Sequence, residues 1–245
     1  MKKDLNQQVA VVTGATRGLG RTITLKLAEK GVKTAALARS ATELADLEEE
    51  VARAGGTAAF FQCDVTDFDQ LGEAMRKTHE KWGSLDILIN NAGTGSDKTF
   101  EEITREEIDA SIDVNLKGVI YATKQALPYM MGSGYGNIIN ISSIAALRGI
   151  AAANPNGIYA ASKFGVHGFS QAMSQRLLKY NIHVAELCPG AIDTSWWDRW
   201  HYPHGRSAMI PTEYIMRIVE LILETPENVL FKQANMVTTA EADIW

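Results

Sequence analysis

Val9-Ala10-Val11-Val12-Thr13-Gly14-Ala15-Thr16-Arg17-Gly18-Leu19-Gly20 is the stretch that decides the fold. Its apolar, mostly β-branched opening shows no polar alternation, which predicts a strand buried on both faces, as in a parallel sheet between two helix layers. Gly14, Gly18 and Gly20 then turn the chain, and a helical period starts at Leu19. Such a strand-turn-helix unit aims backbone N–H groups and the positive end of a helix dipole at one point. It suits a pyrophosphate, although a glycine-rich turn with no ligand has the same spacing.

Outward from this unit, strand and helix signals alternate to the end of the chain. Strands are expected at Val9 to Thr13, Lys33 to Ala38, Ala58 to Cys63, Leu85 to Asn90, Asn137 to Ser142, His183 to Cys188 and, more weakly, Val229 to Phe231. Helices are expected at Leu19 to Lys30, Thr42 to Ala54, Phe68 to Trp82, Thr104 to Met131, Ile158 to Tyr180 and Thr212 to Glu224, with Gly31, Gly55, Gly83 and Gly132 as stops. Alternating βα units imply an α/β fold: about seven parallel strands flanked by helices on both faces. No linker or repeat interrupts the rhythm, so 1–245 reads as one domain. The exception is residues 189–211, where Trp196, Trp197, Trp200 and Tyr202 cluster without helical period. That stretch is either a subunit contact or a lid, near 190–212, over a ligand.

Composition narrows the function. The 245 residues carry 24 Lys plus Arg and 29 Asp plus Glu, a net charge of −5, which argues against binding a nucleic-acid backbone. Cys63 and Cys188 are too few and too far apart for a disulfide framework or a paired-cysteine metal site, so a reduced, cytoplasmic setting and no metal are expected. No apolar run approaches the roughly 18 residues of a membrane span.

The end of the second strand distinguishes two cofactors. An acidic side chain there would accept from a ribose 2′-hydroxyl and repel a 2′-phosphate. This chain has Arg39 at that point and a second cation, Arg17, on the glycine turn, so NADP(H) is expected over NAD(H). Asp64-Val65, after the third strand, is placed either against an adenine edge or as a helix cap. Tyr159 and Lys163 lie four residues apart at the start of a helix, on one face. A phenol of ordinary pKa near 10 is almost wholly neutral at pH 7, and a neighbouring ammonium draws that value down.

With these motifs in order, the chain resembles the short-chain dehydrogenase/reductase family, in particular its 3-oxoacyl-carrier-protein reductase-like branch, over nearly its whole length. Thr13 to Gly20 matches TGxxxGxG, Asn90-Asn91-Ala92-Gly93 the NNAG segment, and Tyr159 to Lys163 YxxxK; Asn115, Ser142-Ser143, Pro189-Gly190 and Thr194 follow the family order. The resemblance implies a Rossmann-type sheet in the order 3-2-1-4-5-6-7 and a catalytic set of Asn115, Ser143, Tyr159 and Lys163. It implies a dinucleotide held by Gly14, Thr16, Arg17, Gly18, Leu19, Gly20, Arg39, Asp64, Val65, Asn91, Ala92, Gly93, Tyr159, Lys163, Pro189, Gly190, Ile192 and Thr194. The expected activity is interconversion of a small-molecule carbonyl and a secondary alcohol by a homo-oligomer, dimer or tetramer, with no membrane or nucleic-acid partner. A non-catalytic NADP(H) sensor on the same fold is the competing reading.

Two features depart from the family pattern. Ser143 and Tyr159 are sixteen residues apart (159 − 143), longer than is common, which leaves Ser142 as an alternative to Ser143. The C-terminus ends in Glu-Ala-Asp-Ile-Trp instead of the frequent Asp-Gly-Gly, and leaves the last strand open. For the substrate, the four aromatics with Ala145, Leu147 and Ile150 suggest an apolar wall, and Arg148, Arg199, His201 and His204 a site for a polar tail.

Overall fold

The computed structural model describes residues 4–148, 156–198 and 202–244. Seven parallel strands form one sheet in the order β3-β2-β1-β4-β5-β6-β7, a Rossmann-type arrangement. They are β1 (Val9–Thr13), β2 (Lys33–Ala38), β3 (Ala58–Gln62), β4 (Ile87–Asn90), β5 (Gly136–Ile141), β6 (Ile182–Pro189) and β7 (Gln233–Met236). The helices are α1 (Gly18–Glu29), α2 (Ala41–Arg53), α3 (Phe68–Trp82), α4 (Arg105–Ile112), α5 (Gly118–Ser133), α6 (Ala145–Arg148), α7 (Ile158–Arg176) and α8 (Thr212–Glu224).

The apolar runs are unbroken because each central strand has a core on both sides. Ala10 and Val12 of β1, with Ile87 and Ile89 of β4, pack under α1, α2 and α8, whereas Val11 and Leu88 pack under α3 and α5. Alternate residues therefore point to opposite faces, and a slip of one residue would exchange the two cores. None of the described helices is long and apolar enough to cross a membrane.

Three sequence expectations are corrected. The last strand is Gln233–Met236, not Val229 to Phe231: Val229 donates its N–H to Pro226 O in a turn and stays exposed, whereas β7 is a sheet edge alternating exposed and half-buried positions. An edge strand needs no apolar run, so the composition pointed to the turn before it. The helix expected from Thr104 to Met131 is α4 and α5 joined by a π-turn, Asp113–Lys117, that carries Asn115. Gly132 lies inside α5, and Gly134, at φ +66°, ends that helix.

Candidate active site

A cavity of about 480 Å³ opens at the carboxyl ends of the strands, between β1, where the strand order reverses, and the loops after β5 and β6. Open α/β sheets place their ligands at this position. Every residue expected to hold the cofactor borders it except Gly20, and so do Ser143, Tyr159 and Lys163. Asn115 does not.

Gly20 acts from behind the wall. A Cβ at that position would lie 2.2 Å from Gly14 O and 2.4 Å from Asn91 Nδ2, so the first turn of α1 packs directly on the chain before it. Gly18 has φ +52°, a left-handed conformation that favours glycine, and opens α1 toward Thr194. Asn91 braces this turn: its carboxamide N–H groups donate to Thr13 O and Gly14 O, both at 3.1 Å. Thr13 Oγ1 accepts the N–H of Asn91 at 3.0 Å and of Ala92 at 3.1 Å, a role the sequence reading did not assign to that hydroxyl. The result is a rigid cradle of helix-end donors, closed by Ala92 and Thr194. Its donor set fits a dinucleotide pyrophosphate.

At one end of the cavity Arg17 and Arg39 are exposed, and neither guanidinium forms an ion pair among the described residues. Asp64 borders the cavity too, but its Oδ1 accepts from Thr66 N at 2.9 Å and Thr66 Oγ1 at 2.8 Å, a local turn. The cap of α3 is Asp67, which accepts from Asp69 N and Gln70 N. Glu43, from the first turn of α2, also borders this end and accepts from Thr16 Oγ1 at 2.6 Å. The local pattern gave no signal for that contact, because it joins residues 27 apart.

At the other end, the Ser143 hydroxyl stands beside the Tyr159 phenol and accepts from Ala145 N at 3.1 Å. The Ser142 hydroxyl is buried and makes no hydrogen bond among the described residues. Lys163 is buried, its Nζ donates to Ile141 O at 2.9 Å, and it lies 5.6 Å from the centre of the Tyr159 ring. Burial pushes the phenol up to about 12, against the opposing influence of the Ser143 hydroxyl, and brings Lys163 down to about 8. The sequence reading had the ammonium drawing the phenol down. In this site desolvation dominates, and Tyr159 is a neutral hydrogen-bond donor at pH 7. Asn115 is fully buried beside these groups: Oδ1 accepts from Thr94 N at 2.8 Å, and Nδ2 donates to Thr94 O at 2.8 Å and Ser162 Oγ at 3.0 Å. Its carboxamide is committed to the protein, locking the loop after Gly93 to α7, and the π-turn presents it there.

The aromatic stretch divides. Trp196 borders the cavity, its ring 6.1 Å from that of Tyr159, and Trp197 borders it while donating Nε1–H to Ile192 O at 3.0 Å. Tyr202 instead packs with Trp197, Ala191 and Met209 in a small core, and His204 leans on the Tyr202 ring. The segment is tied at its base by the bridge between Ile192 and Ile210. Ala145 is fully buried and, like Leu147 and Arg148, does not border the cavity; Ile144 does. Ile150, Arg199, Trp200 and His201 lie outside the described residues. Glu241, on the C-terminal turn, closes the wall: it accepts from Ala191 N, Thr238 N and Thr238 Oγ1, each at 3.2 Å.

Burial also raises Cys63, Cys188 and Tyr135 to about 12. A group held above its unfolded value contributes stability that is complete below the unfolded pKa and lost as pH rises through the folded one. With Tyr159 there are four such groups, at about 9 or 10 unfolded and about 12 folded. Lys163 has the opposite sign: it is lowered from 10.5 to about 8, so its penalty is relieved over that window. The four outweigh the one above pH 10. The urea unfolding midpoint is therefore expected to fall steeply between pH 10 and 12; a midpoint that stays level would show that these groups ionise in the folded state.

The comparisons with known proteins agree with the geometry. The family model described as short chain dehydrogenase matches residues 8–202. The 3-oxoacyl-[acyl-carrier-protein] reductase FabG of Thermotoga maritima is 37% identical over 191 residues, covering 78% of this chain and 76% of that one. An oxidoreductase of Staphylococcus saprophyticus is 36% identical over 192 residues, covering 78% and 81%. A metagenomic short-chain oxidoreductase solved in complex with NADP superposes with a TM-score of 0.82 at 30% identity, covering 96% and 98%. With the sheet order, the braced glycine turn and the match over residues 8–202, the chain belongs to the short-chain dehydrogenase family.

Proposed function

We propose that this oxidoreductase uses NADP(H) to interconvert a carbonyl and a secondary alcohol, with Tyr159 as the proton donor and acceptor. The observation that carries this reading is one cavity with two arginines that form no ion pair among the described residues at one end and Tyr159, beside Ser143 and a buried Lys163, at the other. Gly14, Gly18, Leu19 and the residues bordering them would hold the pyrophosphate, Arg17 and Arg39 the 2′-phosphate, and Lys163 with Ile192 and Thr194 the nicotinamide half. When bound, the reduced ring supplies a hydride.

The protein's own part follows from the protonation states. Ser143 and Tyr159 both offer O–H donors to a carbonyl oxygen, so they polarise it and hold it in place. Tyr159, neutral at pH 7, then delivers its proton to the forming alkoxide; the resulting phenolate is stabilised by Lys163, whose ammonium is within one helical turn. Trp196, its ring 6.1 Å from that of Tyr159, sets an apolar wall for the substrate. Asn115 holds the Thr94 loop against α7, and with it the floor of the site. We read 1–245 as one domain with residues 190–212 as its lid, acting as a homo-oligomer.

The test is NADPH oxidation, followed by absorbance, with aromatic ketones, keto esters and 3-oxoacyl thioesters, and product analysis for the alcohol. At least one class is expected to be reduced with one NADPH consumed per alcohol formed. Tight NADPH binding without oxidation by any class would overturn the enzymatic reading in favour of a sensor.

A further inference from the structure

We propose that Glu43 is a specificity-determining residue that opposes the 2′-phosphate and keeps the cofactor preference narrow enough for NAD(H) to be used as well. This rests on the reading of the cavity as a nicotinamide dinucleotide site. Ser40-Ala41-Thr42-Glu43 has the sequence of a capping box, in which Ser40 Oγ would accept from Glu43 N and the Glu43 carboxylate would reach back to Ser40 N. Only the first half forms, at 3.2 Å. The carboxylate instead leaves its own helix and crosses to the glycine turn, where it takes the Thr16 hydroxyl at 2.6 Å.

Two consequences follow for a ligand. The half-buried carboxylate stands on the same stretch of wall as Arg17, Arg39 and Ser40, so a 2′-phosphate attracted by the two guanidiniums meets an anion on the same wall. It also occupies the Thr16 proton, a donor that a phosphate would otherwise receive. A ribose 2′-hydroxyl meets the opposite situation, because a carboxylate beside it accepts a hydrogen bond from it. This is the chemistry by which an acidic residue at the end of the second strand selects NAD(H), delivered here from the first turn of α2. Glu43 also borders, with Arg17 and Asp46, a second depression on the outer side of this wall, where Glu50 is paired with Arg21.

The experiment is calorimetric titration of wild type and Glu43→Gln with NADPH, NADH, adenosine 2′,5′-bisphosphate and 5′-AMP, alongside kcat/KM for both reduced cofactors. Glutamine keeps the length of the side chain and removes its charge. NADPH and the bisphosphate are expected to bind about tenfold tighter in the variant, a 1.4 kcal/mol change, while NADH and 5′-AMP bind equally or more weakly. The ratio of kcat/KM values should move the same way. Glu43→Ala provides a second uncharged side chain and should shift the NADPH-to-NADH ratio in the same direction. An unchanged ratio of dissociation constants in both variants would overturn the role of Glu43 and leave the cofactor site standing. Failure of wild type to bind any of the four compounds would instead overturn the reading of the cavity, and Glu43 with it.

Discussion

Tyr159→Phe is expected to lower kcat/KM for carbonyl reduction by about 10² to 10⁴-fold while leaving NADPH affinity and folding nearly unchanged. The size is that of a positioned general acid, and it follows from the state of the phenol. Burial holds Tyr159 at about 12, so the proton to be delivered is present throughout the neutral range. The Ser143 hydroxyl beside it is an aliphatic alcohol, a far weaker acid than a phenol, and does not replace it as proton donor. The fold should tolerate the change. The ring remains beside Trp196, and Ser143 Oγ keeps its bond from Ala145 N, so the change in stability stays within about 1 kcal/mol. Steady-state kinetics with a cofactor titration and a melting curve separate these effects. Wild-type turnover in the variant would remove Tyr159 from the chemistry.

Gly20→Ala is expected to destabilise the protein by about 2 to 3 kcal/mol and to abolish tight dinucleotide binding, although alanine is the better helix former by about 1 kcal/mol. Sterics decide the sign. The new methyl would stand 2.2 Å from Gly14 O and 2.4 Å from Asn91 Nδ2, and the first obstacle is backbone. To make room, α1 must lift from the glycine turn or Asn91 must release Thr13 O and Gly14 O. Either movement dismantles the cradle. Gly132→Ala is the control, because a Cβ there meets nothing within 4 Å and the residue is helical. It should be neutral or stabilising by up to about 1 kcal/mol. Melting temperatures of the two variants test the contrast; for a chain of this size the first corresponds to a fall of roughly 5 to 10 °C. Equal stability of both variants would show that the close approach at Gly20 is relieved at no cost.

The contrast between these glycines also shows what kind of information the chain carries locally. Gly83 follows α3 with φ +78° as the periodicity suggested, whereas Gly132 does not stop α5 because the helical hydrogen bonds continue to Gly134. An isolated glycine marks only where a helix can end; whether it does depends on the packing of the next turn. The same limit explains the last strand. Val229, Leu230 and Phe231 have the composition of a strand, yet the residues that pair with β6 are Gln233 to Met236, selected by the register Glu186↔Gln233 at the sheet edge.

By itself the amino-acid sequence determined the parallel sheet, its strand order through the family motifs, and the set of residues around the cavity, because each depends on short-range patterns: unbroken apolar strands, a glycine turn, side chains one helical turn apart. Only the tertiary structure decided how those residues are used. Asn115 is spent on Thr94, Asn91 on the glycine turn, Glu43 on Thr16, and Glu241 closes a wall fifty residues earlier in the chain. The physical reason is that a hydrogen-bonding side chain has several partners of similar strength within reach, and only the packed chain fixes which one is close enough to take.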